Sequence, residues 1–99
     1  MIMIAGHLAV APEHAEEFAA ACREITIETH KEPGCLFYEF WADLDRTGRF
    51  SVVEAWATEA DFEAHIATPH LREFRRIREG LGMLQSDFVR YDIAEVKPL

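Results

Sequence analysis

Trp56, His65 and His70 are the side chains of this chain best placed to do polar chemistry together. All three fall within residues 54–74, interleaved with apolar neighbours. An imidazole titrates near neutrality, so His65 reads as a general base or as a hydrogen-bond donor to a phenolic oxygen. The alternative is a packing histidine with one satisfied nitrogen. His70 falls on the first turn of an expected helix, where the dipole favours a neutral ring able to accept a proton; it reads equally as a surface residue. Trp56 offers an indole N–H and an aromatic wall, or only core bulk, and Tyr38 is open to the same two readings. Glu54 shares an apolar strand face with Trp56. A buried carboxylate needs a partner, either an arginine, of this chain or across an interface between copies, or a ligand site. His7 projects from the first strand on the face opposite Ile4 and Leu8, and would line the same pocket if helices cover that face. Tyr38, Phe40, His7, Phe62 and Phe74 form the expected substrate-binding set, with His65, Trp56 and His70 as the catalytic set.

Other chemistries find little support. Gly80-Leu81-Gly82 is too short for a dinucleotide fingerprint and follows a helix instead of a strand. His65 and His70 straddle a helix break with no evident third ligand, so no metal is expected. No serine or cysteine lies in a nucleophile motif. Cys22 falls on a buried helix stripe and reads as a small core residue. Cys22 and Cys35 fit neither a disulfide framework nor a zinc pattern.

The elements that must position these groups follow from periodicity. Residues 2–11 alternate with period two and read as a strand, semi-apolar on both faces. Pro12 suits a first helical position, with Glu13, Glu16 and Glu17 complementing the dipole. Ala15, Phe18, Cys22, Ile25 and Thr29 then repeat at helical spacing until Pro33-Gly34. Residues 35–42 and 50–56 are dense in aromatic and β-branched residues, flank a turn at 43–48, and form a hairpin. Thr58 with Asp61 resembles a capping box, opening a short helix. Thr68-Pro69 opens a second, which Gly80 and Gly82 stop. Residues 84–96 read as the last strand. The order β-α-β-β-α-β, with a broken second helix, predicts an α+β, ferredoxin-like (split βαβ) antiparallel sheet with helices on one face. Phe37, Phe40, Trp41, Phe50 and Val53 are too many large apolar groups for one hydrated face. They predict a homodimer packed sheet against sheet.

At 99 residues the chain predicts one domain with a modest core. Its net charge of −8 disfavours nucleic acid and anionic membrane surfaces. Arg72, Arg75, Arg76 and Arg78 read as a solvated helix face beside Glu73 and Glu79. No apolar run approaches the roughly 18 residues needed to cross a bilayer. The start, Met1-Ile2-Met3-Ile4, lacks the charged region of a signal peptide, so a reducing cytoplasmic location is expected.

Residues 33–40 (Pro-Gly-Cys-Leu-Phe-Tyr-Glu-Phe), 50–56 (Phe-Ser-Val-Val-Glu-Ala-Trp) and 64–74 (Ala-His-Ile-Ala-Thr-Pro-His-Leu-Arg-Glu-Phe) resemble the antibiotic biosynthesis monooxygenase family. The likeness runs over nearly the whole chain, as a single domain spanning 1–99. It implies a dimeric α+β barrel in which two ferredoxin-like subunits join sheets. It also implies oxidation of a small phenol, quinol or polyketide-like aromatic by O₂, with no flavin, haem or metal. Trp56, Tyr38, Phe40, His65 and His70 would then line the pocket. A non-catalytic module binding an aromatic or quinone is the alternative, and an interaction protein with a vestigial pocket is a third. A sister branch degrades haem using a histidine, an asparagine and a tryptophan. The matching positions here hold Arg75, His7 and His65, which argues against that chemistry.

Overall fold

The computed structural model describes residues 1–99. Alternation of Ile2, Ile4 and Leu8 with smaller groups makes the first strand, β1 (Ile2–Ala9). Pro12 starts a 3₁₀ turn (Pro12–His14), and the first helix, α1 (Ala15–Thr29), begins after it. This helix buries Phe18, Ala21, Cys22, Ile25 and Thr29, the expected stripe with Ala21 in place of Ala15. The hairpin is β2 (Cys35–Ala42) and β3 (Arg49–Trp56). Next come α2 (Glu59–Ile66) and α3 (Pro69–Leu81). The Thr58 and Thr68 hydroxyls cap them, accepting from the amides of Asp61 and Leu71. Gly82 at φ +72° closes α3 in the left-handed region. The last strand, β4, is shorter than predicted, Gln85–Asp92.

The strands pair antiparallel in the order β2-β3-β1-β4, and the three helices cover one face, giving the ferredoxin-like α+β arrangement. Phe18 lies edge-on to Phe50 and close to Phe74, which in turn meets Phe40, so one aromatic chain ties α1, β3, α3 and β2 together. That packing corrects the face expected for Phe40 and Phe50. A register shift between Cys35 and Phe37 turns Tyr38 and Phe40 toward the helices, with Phe50. Phe37 and Trp41 remain on the uncovered face, where Val89 (54% exposed) and Tyr91 (46% exposed) join them. No helix is long and apolar enough to cross a membrane.

Candidate functional site

The helix-covered floor carries one informative row. Tyr38, Glu54, Ile4 and Arg90 are register partners across β2, β3, β1 and β4. Trp56 lies two residues beyond Glu54 on the same face of β3, because side chains alternate along a strand. Its indole Nε1–H donates to Glu54 Oε1 at 3.0 Å. Glu54 is 8% exposed. Burial is the main reason its pKa is raised above the ordinary carboxylate value, opposed by the Trp56 hydrogen bond and by His65.

The α2 helix delivers His65 onto this floor. The Thr58 cap fixes where α2 starts, and one face of the helix then buries His65 to 1% exposure. The imidazole stacks on Trp56 with centroids 4.5 Å apart and meets Tyr38 edge-on at 5.4 Å. Its Nδ1 lies 2.9 Å from Glu32 Oε2, and its Nε2 lies 4.0 Å from Glu54 Oε1. The same Glu32 oxygen lies 2.6 Å from His70 Nε2. An ionised carboxylate only accepts, so Glu32 makes both nitrogens donors. In the neutral ring that leaves His65 Nε2 as the acceptor, on the side of Glu54.

Glu32 was missed by sequence reasoning. It lies in the loop between α1 and β2, one position before Pro33-Gly34, and meets His65 only because that loop folds against α2. Gly34 makes the approach possible. Its φ of +78° suits glycine, and a Cβ there would run into the Asp61 side chain. Ala57 N donates to Gly34 O at 2.9 Å, fastening the loop to the start of α2.

A cavity of about 290 Å³ opens between α2, α3 and the sheet. Tyr38, Phe40, Phe62, His65 and Phe74 line it, together with Glu54 and the aliphatic Ile4, Leu8, Val52 and Leu71. Trp56 and His70 do not line the cavity: Trp56 stacks on His65, and His70 is tied to it through the shared Glu32 oxygen. His7 is on the opposite, uncovered face, where its Nδ1 meets Ser51 Oγ at 3.1 Å. The expectation that His7 lines this pocket is therefore corrected: no helix covers its face. The reading of the arginine cluster changes too. Arg72 and Arg76 face solvent, but Arg75 and Arg78 line the cavity, and so does Arg90. Arg90 is held by Glu59 and Asp92 and lies over the Phe62 ring. Arg90 fell in a strand pattern that gave no sign of its role.

Glu32, His65 and His70 also form a two-imidazole, one-carboxylate set, with donor atoms within 4.8 Å of one another. Glu32 is the third donor that the His65/His70 spacing did not reveal. Such a set suits a divalent transition metal. Loading it would require both shared hydrogens to leave. Tyr38 stays protonated, its pKa raised chiefly by burial, and the buried Cys22 thiol is pushed up to about 12 and is inert.

The model of the family described as antibiotic biosynthesis monooxygenase matches residues 1–77. An uncharacterised protein of Synechocystis, sll1783, is 32% identical over 98 residues, covering 99% of this chain and 67% of that protein. A candidate antibiotic biosynthesis monooxygenase from Deinococcus radiodurans superposes with a TM-score of 0.93 at 25% identity, covering 100% of this chain and 98% of its own. Another from Nitrosomonas europaea gives 0.88 at 25% identity, covering 96% and 100%.

Proposed function

The chain belongs to the antibiotic biosynthesis monooxygenase family, and on that premise we propose that it oxidises a small phenol or quinol with O₂, the chain's own residues supplying the acid–base chemistry. One observation carries the reading. Glu32 binds Nδ1 of a fully buried His65 and so leaves Nε2 free beside an apolar cavity that fits a compact aromatic. A buried imidazole oriented by a carboxylate is the arrangement of a general base.

The substrate ring lies among Phe40, Phe62 and Phe74 with a hydroxyl toward His65. Nε2 takes the phenolic proton, and the imidazolium that forms lies between the Glu32 and Glu54 carboxyl groups. The electron-rich phenolate then passes one electron to O₂. The phenoxyl radical and superoxide couple at a ring carbon, and the peroxide loses water. The ring gains one oxygen atom and loses two hydrogens, and the second oxygen leaves as water, so electrons balance without a further reductant. The protein's part is to hold the reactants together and keep bulk water from the radical pair. A second copy, packed sheet to sheet over Phe37, Trp41, Val89 and Tyr91, completes the barrel in this reading.

Oxygen uptake tests it. A panel of phenols and quinols, without added flavin or metal, is expected to contain a turned-over compound. His65→Ala is expected to lower its rate about 10²-fold or more. A compound that raises the melting temperature yet is recovered intact under air would point instead to a binding protein.

A further inference from the structure

Two cations on the cavity wall, Arg75 and Arg78, are held in no ion pair, and the nearby Glu79 and Glu54 act on them only through space. Leu71, Phe74, Arg75 and Arg78 stand at positions i, i+3, i+4 and i+7, so they share one face of α3, and all four line the cavity. Arg49 pairs with Asp43, Arg76 with Glu73, and Arg90 with both Glu59 and Asp92, while Arg23, Arg46 and Arg72 are unpaired but exposed and away from this cavity. Arg75 and Arg78 take part in no ion pair and no hydrogen bond to a carboxylate. Acids are not scarce, since the chain has 18 against 10 lysines and arginines. The one carboxyl group lining the cavity is Glu54, and its oxygen is already bonded to Trp56. Arg75 acts on Glu54 only through space, as the weakest of the influences on it.

Arg78 is half-buried, with its guanidinium 5.8 Å from the Phe74 ring centroid. Burial first, and the adjacent Arg75 charge second, push its pKa below the ordinary value. Charge crowded against charge at an apolar wall is relieved when an anion arrives. A guanidinium fork also matches the two oxygens of a carboxylate, a geometry no single phenolate oxygen fills.

From this arrangement we infer that the ligand is an aromatic acid, its ring against Phe40, Phe62 and Phe74 and its carboxylate held by Arg75 and Arg78. This names the substrate class of the proposed reaction, and it rests on that reading for the choice of this cavity as the ligand site. The carboxylate anchors the ring, and the hydroxyl to be deprotonated is a separate group turned to His65.

The test is a calorimetric titration under nitrogen with a hydroxynaphthoate and with the matching neutral hydroxynaphthamide. The acid is expected to bind about tenfold or more tightly than the amide, the scale of a charge-assisted pair. The double substitution of Arg75→Gln and Arg78→Gln should erase that preference and leave the amide's affinity unchanged. Arg78→Lys should restore part of it, and Arg72→Gln, on the solvent side of α3, should change nothing. Circular dichroism checks that the variants fold. Equal affinity for acid and amide in the native protein, no binding of either, or a preference that survives the double substitution overturns the inference. Oxygen uptake separates the two readings. An acid that binds through the arginines but is never oxidised in air defeats the oxidase reading and leaves the anion site standing. An amide oxidised as fast as the acid does the reverse.

Discussion

The imidazole of His65 lies flat on the indole of Trp56, with 29° between the rings, while the same indole donates its N–H to Glu54. Trp56 thus holds both groups in place without lining the cavity. Trp56→Phe keeps an aromatic surface under His65 but leaves Glu54 buried without its donor. The expected cost is about 1–3 kcal/mol of stability at neutral pH, the usual penalty for a buried group left unpaired. Urea denaturation reads it, and the loss should shrink on acidification, as Glu54 becomes protonated.

Glu32 sets which nitrogen of His65 carries hydrogen. Glu32→Gln keeps the shape but removes the charge that balances the imidazolium formed during proton transfer. Turnover of a compound found in the oxygen screen is expected to fall about tenfold or more, with KM close to native. A kcat equal to the native value would remove Glu32 from the mechanism.

Glu54 makes stability depend on pH, with a definite sign. Its native pKa is raised, so between the unfolded and native values the folded state binds more protons. The stabilisation is complete below the unfolded value and is lost as pH rises through the native one. Glu54→Gln, which keeps an acceptor for Trp56, should therefore gain on the native protein as pH rises from acid to neutral. Melting temperatures across that range check it, and a constant difference at all pH values would contradict it.

Gly34 links backbone geometry to the site. Gly34→Ala meets both an unfavourable φ and the Asp61 side chain. A loss of more than about 1 kcal/mol is expected. Because the displaced loop carries Glu32, activity should fall further than stability alone accounts for, as shown by rates measured well below the melting temperature.

The uncovered sheet face predicts self-association. Sedimentation equilibrium should give about twice the chain mass, and Trp41→Glu, on a residue 48% exposed, should yield single chains without unfolding them. A native chain that stays single at high concentration would sink the barrel.

The order and type of the elements were readable along the chain, because alternation of two and repetition of three to four are local consequences of strand and helix geometry. Thr58 and Thr68 declared their helices for the same reason, since a cap acts on amides within its own turn. His65 could be singled out as a polar group bordering an apolar stripe. Its partners could not. Glu32 reaches it from a loop thirty-three positions away, and no local pattern marks such a meeting. A register shift in β2, invisible in the alternation, decided that Tyr38 and Phe40 face the cavity while Phe37 and Trp41 do not. Strand pairing put His7 on the far face and Arg90 on the near one.

The sequence alone thus determined the fold class and a histidine suited to proton transfer, both written in short-range patterns of residue type. Only the tertiary structure decided which nitrogen of His65 is free, which arginines turn inward, and that Trp56 and His70 do not line the cavity. Those depend on where distant segments come to lie against one another, and burial and charge act only once they have met.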